Sequence, residues 1–185
     1  MKKRGFITTL AAIMISACCA VPVFAGELES GSYSMKQGEK SVNVYVDKIS
    51  SAENFTAINM YKSDDSNTQD FILEKQPDGS YKICIAKPGY TLNVKELKVN
   101  TDVIVYKDKK ANTEYYTIEE TEKEGFYTIR MKNKSSLALT STGKTGLTLK
   151  TYNGNDNQQF YFESNDAGES AGNVDPVGEN VLRQR

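Results

Sequence analysis

The chain has no histidine and no tryptophan among its 185 residues, and only four prolines and three cysteines. Without imidazole there is no Ser-His or Cys-His nucleophile pair and no histidine metal ligand. Two of the cysteines, Cys18 and Cys19, fall in the leading apolar run, which leaves Cys84 as the one thiol beyond it. A single thiol closes no internal disulfide, so no disulfide partner is required and the fold has to hold by its core. The flanks of Cys84, Tyr81-Lys82-Ile83 and Ile85-Ala86, predict burial as a small hydrophobe rather than reactivity. Phosphate-cradling loops are missing as well: Gly143-Lys144-Thr145 lies in a hairpin turn with no glycine-rich loop ahead of it. The carboxylate pairs Asp64-Asp65 and Glu119-Glu120 fall in a loop and at a strand end, where solvated charge is the expected state. No Lys/Arg cluster marks a nucleic-acid footprint. These absences predict no catalytic residue, no metal, no cofactor and no nucleic-acid partner.

What is present begins with an export signature. Lys2, Lys3 and Arg4 precede an uncharged apolar stretch from Phe6 to Ala20, and Pro22 and Val23-Phe24-Ala25 follow. That order predicts a signal peptide over residues 1–25, cleaved after Ala25, and a secreted or extracellular protein. A rival reading takes Ile15-Ser16-Ala17-Cys18 as a lipobox, which would anchor the protein at the cell surface through Cys18. Cleavage removes three of the 23 basic residues and none of the 24 acidic ones, so the remainder carries a net charge of −4. At the other end, residues 165–185 are rich in Ser, Asn, Asp and Gly without apolar periodicity and read as a flexible polar tail.

Between these ends the chain repeats itself. Gln69-Asp70-Phe71-Ile72-Leu73-Glu74 matches Glu114-Tyr115-Tyr116-Thr117-Ile118-Glu119 and Gln158-Gln159-Phe160-Tyr161-Phe162-Glu163. Upstream of each lie a strand pattern ending in Lys62, Lys107 or Thr151, an apolar-x-apolar triplet (Val42-Asn43-Val44, Leu92-Asn93-Val94, Leu137-Ala138-Leu139) and a tyrosine strand containing Tyr33, Tyr81 or Tyr127. Apolar and polar residues alternate with period two, and turn residues such as Pro77-Asp78-Gly79 and Asn153-Gly154-Asn155 separate the segments. Twelve short strands in three groups of four, without helices, need a closed arrangement that hides their edges. The all-β reading is therefore a β-trefoil of three pseudo-equivalent four-strand units over residues 31–164.

The element Gln158-Gln159-Phe160, with Asn153-Gly154 ahead of it, resembles the Q-x-W repeat of ricin B-chain-type lectins, which are β-trefoils. The resemblance spans 31–164, with Phe71, Tyr116 and Phe160 in place of tryptophan. It implies one shallow sugar pocket per unit, in which a ring stacks on the sugar while an acid and amides fix hydroxyls. Carried over by position, the acid falls on Asn43, Asn93 and Ala138, and the stacking ring on Tyr61, Tyr106 and Lys150. Loop polar groups fall on Asp64, Lys109 and Asn153, joined by Gln69, Glu114 and Gln158. No unit keeps the acid, and the third lacks the ring too, so the first is the expected live pocket. The expected carbohydrate-binding set is Asn43, Tyr61, Asp64, Gln69, Asn93, Tyr106, Asn153 and Gln158. Other roles stay open. Phe71, Tyr116 and Phe160 read as core, the Gln and Glu of the repeat element as loop braces or ligand contacts, and Lys109 and Glu114 as a pair. The resemblance implies a secreted, non-catalytic protein whose partner is a glycan or polysaccharide. Its alternative is a protein-binding trefoil, such as a protease inhibitor or adaptor, whose partner is a secreted or surface protein.

Overall fold

The computed structural model describes residues 27–64, 66–143 and 146–165. The expected signal peptide, most of the expected tail, Asp65, Lys144 and Thr145 lie outside the described residues.

Among the described residues twelve strands form, each where the alternation places one. They are β1 (Gly31–Gln37), β2 (Lys40–Val44), β3 (Ile58–Lys62), β4 (Phe71–Lys75), β5 (Tyr81–Ile85), β6 (Tyr90–Val94), β7 (Val103–Lys107), β8 (Tyr115–Glu120), β9 (Phe126–Met131), β10 (Lys134–Ser141), β11 (Leu147–Thr151) and β12 (Gln159–Ser164). Two short 3-10 turns, Ile49–Ser51 and Asp156–Gln158, interrupt the loops. Six strands close a ring by antiparallel pairing in the order β1, β4, β5, β8, β9, β12 and back to β1. A closed ring leaves no edge exposed for pairing with another chain. Three hairpins, β2–β3, β6–β7 and β10–β11, hang from β1, β5 and β9. Their outer strands meet one another pairwise across the open end of the barrel.

The core repeats in the same way. Phe71, Tyr116 and Phe160 are fully buried, as are Met35, Ile83 and Ile129, and Val42, Leu92 and Leu139. Filling one level of a barrel with equivalent side chains from each group of strands leaves few voids and gives most of the stabilising burial. The turns use the residues their geometry demands. Gly79 sits at φ +78°, where a Cβ is costly, and the Asp78 side chain beside it accepts from the Ser80 amide and hydroxyl. Glu27, Leu28 and Ser30 on one side and Asn165 on the other also bond into the barrel: Tyr81 donates to the Leu28 carbonyl, and the Asn165 amide donates to the Ser32 carbonyl.

One alignment fails. Leu139, not Leu137, stands opposite Leu149, just as Val42 stands opposite Met60 and Leu92 opposite Val105. The third counterpart of Asn43 and Asn93 is therefore Thr140, and Ala138 matches Ser41 and Thr91 instead. Extra residues between β9 and β10 cause the slip: the register shifts between Lys134 and Ala138, so Ala138 pairs with Arg130 where Ser41 pairs with Lys36. A displacement of two residues keeps the same face inward, so alternation alone does not reveal it.

Candidate functional site

Each hairpin is followed by a loop that returns to the barrel, and a side chain at the loop's end ties it down from below. Gln69 accepts from the Asp64 amide (3.1 Å) and donates to the Lys62 carbonyl (2.9 Å). Gln158 does the same with the Asn153 and Gly154 amides (2.9 and 3.2 Å) and the Thr151 carbonyl (3.0 Å), and it also donates to the Thr140 hydroxyl (2.9 Å). Glu114 takes this position in the second loop, but a carboxylate only accepts. It receives the Ala111 amide (2.5 Å) and the Lys109 amide (3.3 Å), and Thr91 and Asn93 turn their donors onto it. All three are buried with both polar ends in use. Gln69 and Gln158 thus hold loop backbone, and Gln158 also lines the opening of the third unit. Lys109 meets Glu114 through its backbone, not through the side-chain pair the sequence suggested.

Above these braces the three units differ. In the first, a cleft of about 600 Å3 is lined by Asn43, Tyr45, Asp47, Tyr61, Asp64 and Thr68, among others. Tyr61 is 55% exposed on its wall. Asn43 lies on the floor, donating to Asn59 (2.8 Å) and accepting from Thr68 (2.7 Å), which leaves one amide hydrogen and one lone pair to spare. Asp64 is exposed and uses one carboxylate oxygen to accept the Ser66 amide (2.9 Å). Among the described residues, no lysine or arginine lines this cleft.

In the second unit the ring is already covered. Lys109 donates to the Tyr106 hydroxyl (2.9 Å), and its ammonium lies 4.3 Å from the ring centroid. Phe55 packs edge-on against Tyr106 at 5.0 Å. Asn93 donates to Glu114 and accepts from the Val94 amide, so it is turned toward the loop brace and its own backbone, and the cleft is smaller, at about 280 Å3.

The third unit's opening is wider than those of the other two, about 880 Å3, with Lys150 where the other units carry tyrosine. Thr140, Ser141, Asn153 and Asn157 line it, and Asn153 accepts the Asn155 amide as Asp64 accepts that of Ser66.

Two contributors escape a unit-by-unit reading. Phe55 and Asn100 both adopt left-handed backbone, at φ +70° and +68°, just before β3 and β7. Phe55 donates its amide to the Val105 carbonyl and Asn100 to that of Leu149, and the return bonds run from Val105 to Thr56 and from Leu149 to Thr101. Each residue thereby reaches from one unit into the next unit's cleft: Phe55 onto Tyr106, Asn100 onto Lys150. Their equal offset ahead of the third strand was the available sign. Cys84 is half-buried, and burial pushes its thiol up to about 12, well away from a reactive thiolate.

No protein-family model matches the chain, and no curated protein matches it. Solved structures do. A mosquitocidal holotoxin shares 20% identity over 74% of this chain at a TM-score of 0.64, and the matched part is only 17% of the toxin. The designed threefold-symmetric protein ThreeFoil matches over 71% of this chain and 97% of its own, with 21% identity and a TM-score of 0.63. The ricin B-like lectin of Macrolepiota procera, solved in complex with lactose, matches over 75% of this chain and 99% of its own, with 13% identity and a TM-score of 0.62. At such identities the likeness is one of fold: this all-β domain has the fold of ricin B-like lectins.

Proposed function

We propose that the protein is a secreted, non-catalytic carbohydrate-binding β-trefoil whose first unit holds the sugar. The observation that carries this reading is Tyr61, a 55%-exposed ring on a polar cleft that also presents Asn43, Thr68 and a carboxylate of Asp64. A pyranose has an apolar C–H face and a rim of hydroxyls, and this wall offers a ring for the first and acceptors for the second. The lactose complex of a neighbour with the same fold supports a glycan as the partner. Secretion rests on residues 1–25, and N-terminal sequencing of exported protein separates a chain starting at Gly26 from one acylated at Cys18.

The test is a glycan array followed by titration with the best neutral glycan. Tyr61→Ala removes the stacking face, worth about 1–3 kcal/mol of affinity, and leaves folding stability within about 1 kcal/mol. At millimolar single-pocket affinities such a loss erases detectable binding. Tyr106→Ala changes binding far less, because Lys109 and Phe55 already occupy that ring. Neutral glycan binding that survives Tyr61→Ala unchanged overturns the first-unit assignment. A blank array turns attention to the protein-partner alternative.

A further inference from the structure

The third cleft does not match the chemistry of the first. Its described lining includes two lysines, Lys40 and Lys150, and no carboxylate side chain. Lys40 donates to the Gly143 carbonyl (3.2 Å) and Lys150 to the Asn100 side-chain carbonyl, both neutral acceptors. Neither is among the lysines that pair with a carboxylate, which are Lys36, Lys75, Lys82, Lys98 and Lys132 among the described residues, and what sets the two apart is that they share one opening. Two ammonium groups facing one opening, with no carboxylate among its described lining, set up a local positive potential that favours an anion. Around them stand the hydroxyls of Thr140, Ser141 and Thr142 and the amides of Asn153 and Asn157, and Val99, 47% exposed, gives the lip an apolar surface. That combination of hydroxyls, amides and one apolar contact suits a sugar ring better than a bare ion.

We infer that the third cleft binds an acidic sugar, a saccharide unit carrying a carboxylate or sulfate, with Lys150 and Lys40 taking the charge. Asn100 acts as a positioning residue: it is supplied by the second unit, its left-handed backbone is fixed by the bond to Leu149, and its side chain holds the Lys150 ammonium in the opening. The inference rests on the reading that the hairpin clefts of this fold take sugars, but it assigns a different cleft and an opposite charge preference from the Tyr61 pocket.

The experiment titrates the purified protein with uronate, sialylated and sulfated oligosaccharides, each beside a neutral counterpart such as the methyl ester of the uronate. It is followed by amide chemical shifts and repeated at high salt. The expected result is that at least one charged member shifts Thr140–Gly143 and Asn153–Asn157 and binds tenfold or more tighter than its neutral counterpart. Binding weakens severalfold at 1 M salt, as screening of an exposed charge pair requires. Lys150→Ala with Lys40→Ala abolishes the preference, Lys150→Arg keeps it, and Tyr61→Ala leaves it untouched. The inference is overturned if no charged member binds there, if the neutral counterparts bind equally well, or if inorganic sulfate reproduces the binding unaided. Neutral glycans bound through Tyr61 with a silent third cleft leave the proposed function standing. Charged glycans bound at Lys150 with a silent Tyr61 pocket sink only the first-unit assignment.

Discussion

The first and third clefts share one scaffold and differ in what they show to solvent. Below each, a buried glutamine accepts loop amides through its oxygen and donates to a strand carbonyl through its nitrogen. At the loop turn, Asp64 and Asn153 each accept the amide two residues on. Above this floor, the first cleft presents Tyr61 with Asp47 and Asp64, the third Lys150 and Lys40 with no acid among the described residues. The loop is held by groups that point inward, so the outward residue of the third strand can change from ring to cation without disturbing it. Scaffold and specificity occupy opposite faces of the same strands, which is why they can vary separately.

The comparison breaks first if the inward faces are not equivalent. Phe71 and Phe160 are both fully buried at matched levels of the barrel. Phe160→Ala and Phe71→Ala should each cost about 3–5 kcal/mol in chemical denaturation, the range for emptying a buried aromatic site. A loss well under 1 kcal/mol for either removes that residue from the core and the repeat with it.

The braces come next in size. Gln158 makes four hydrogen bonds and Gln69 two, so the same truncation should weigh more in the third unit. Gln158→Ala should destabilise by about 3 kcal/mol and Gln69→Ala by about half as much, since each orphans buried loop groups. Gln69→Glu should also loosen the loop by putting an acceptor against the Lys62 carbonyl. Equal and negligible losses from both alanine variants would return the glutamines to ligand contact.

Much of this fold was legible in the sequence because burial imposes period two, and the aromatic anchors recur at spacings of 45 and 44 residues. All twelve strands lie where alternation and turn residues put them. The slip at Ala138 was not legible, since a two-residue shift preserves the buried face and only pairing with β11 shows it. Nor could a pattern of residue types distinguish a brace from a ligand contact at Gln69 or Gln158: both roles need the same amide, and only the direction of the side chain separates them. Phe55 and Asn100 were hidden for another reason. They act on the unit after their own, and reading each unit as self-contained misses a contact that crosses between units.

The second unit offers the smallest and sharpest test, because its loop is held by charge where the other two use neutral amides. Besides Glu114, it carries a pair in which Lys82 donates to Asp108 at 2.8 Å, and Asp108 also accepts the Lys110 amide. The hydrogen bond from Lys82 holds the Asp108 carboxyl below its ordinary value of 3.8. For Lys82 itself burial opposes the charge most, but the bond to Asp108 and the charges of Asp108, Tyr115 and Glu114 together outweigh it and hold the amine above 10.5. An acid with a lowered folded value stabilises the fold above its unfolded value and loses that contribution as pH falls through the folded one. The amine contributes fully below 10.5 and loses its share as pH rises beyond its folded value. Asp108→Asn should therefore lower stability by under about 1 kcal/mol across the neutral range, since Asp108 keeps some contact with solvent. The gap to the parent protein should begin to close as pH drops through 3.8 and vanish below the lower folded value, where the parent's carboxylate is protonated too. Denaturation midpoints of both proteins from pH 2 to 9 measure it. A gap that stays constant down to the acid end would mean that Asp108 holds the loop by shape and hydrogen bonding alone, and that charge does not set the second loop apart from its neighbours.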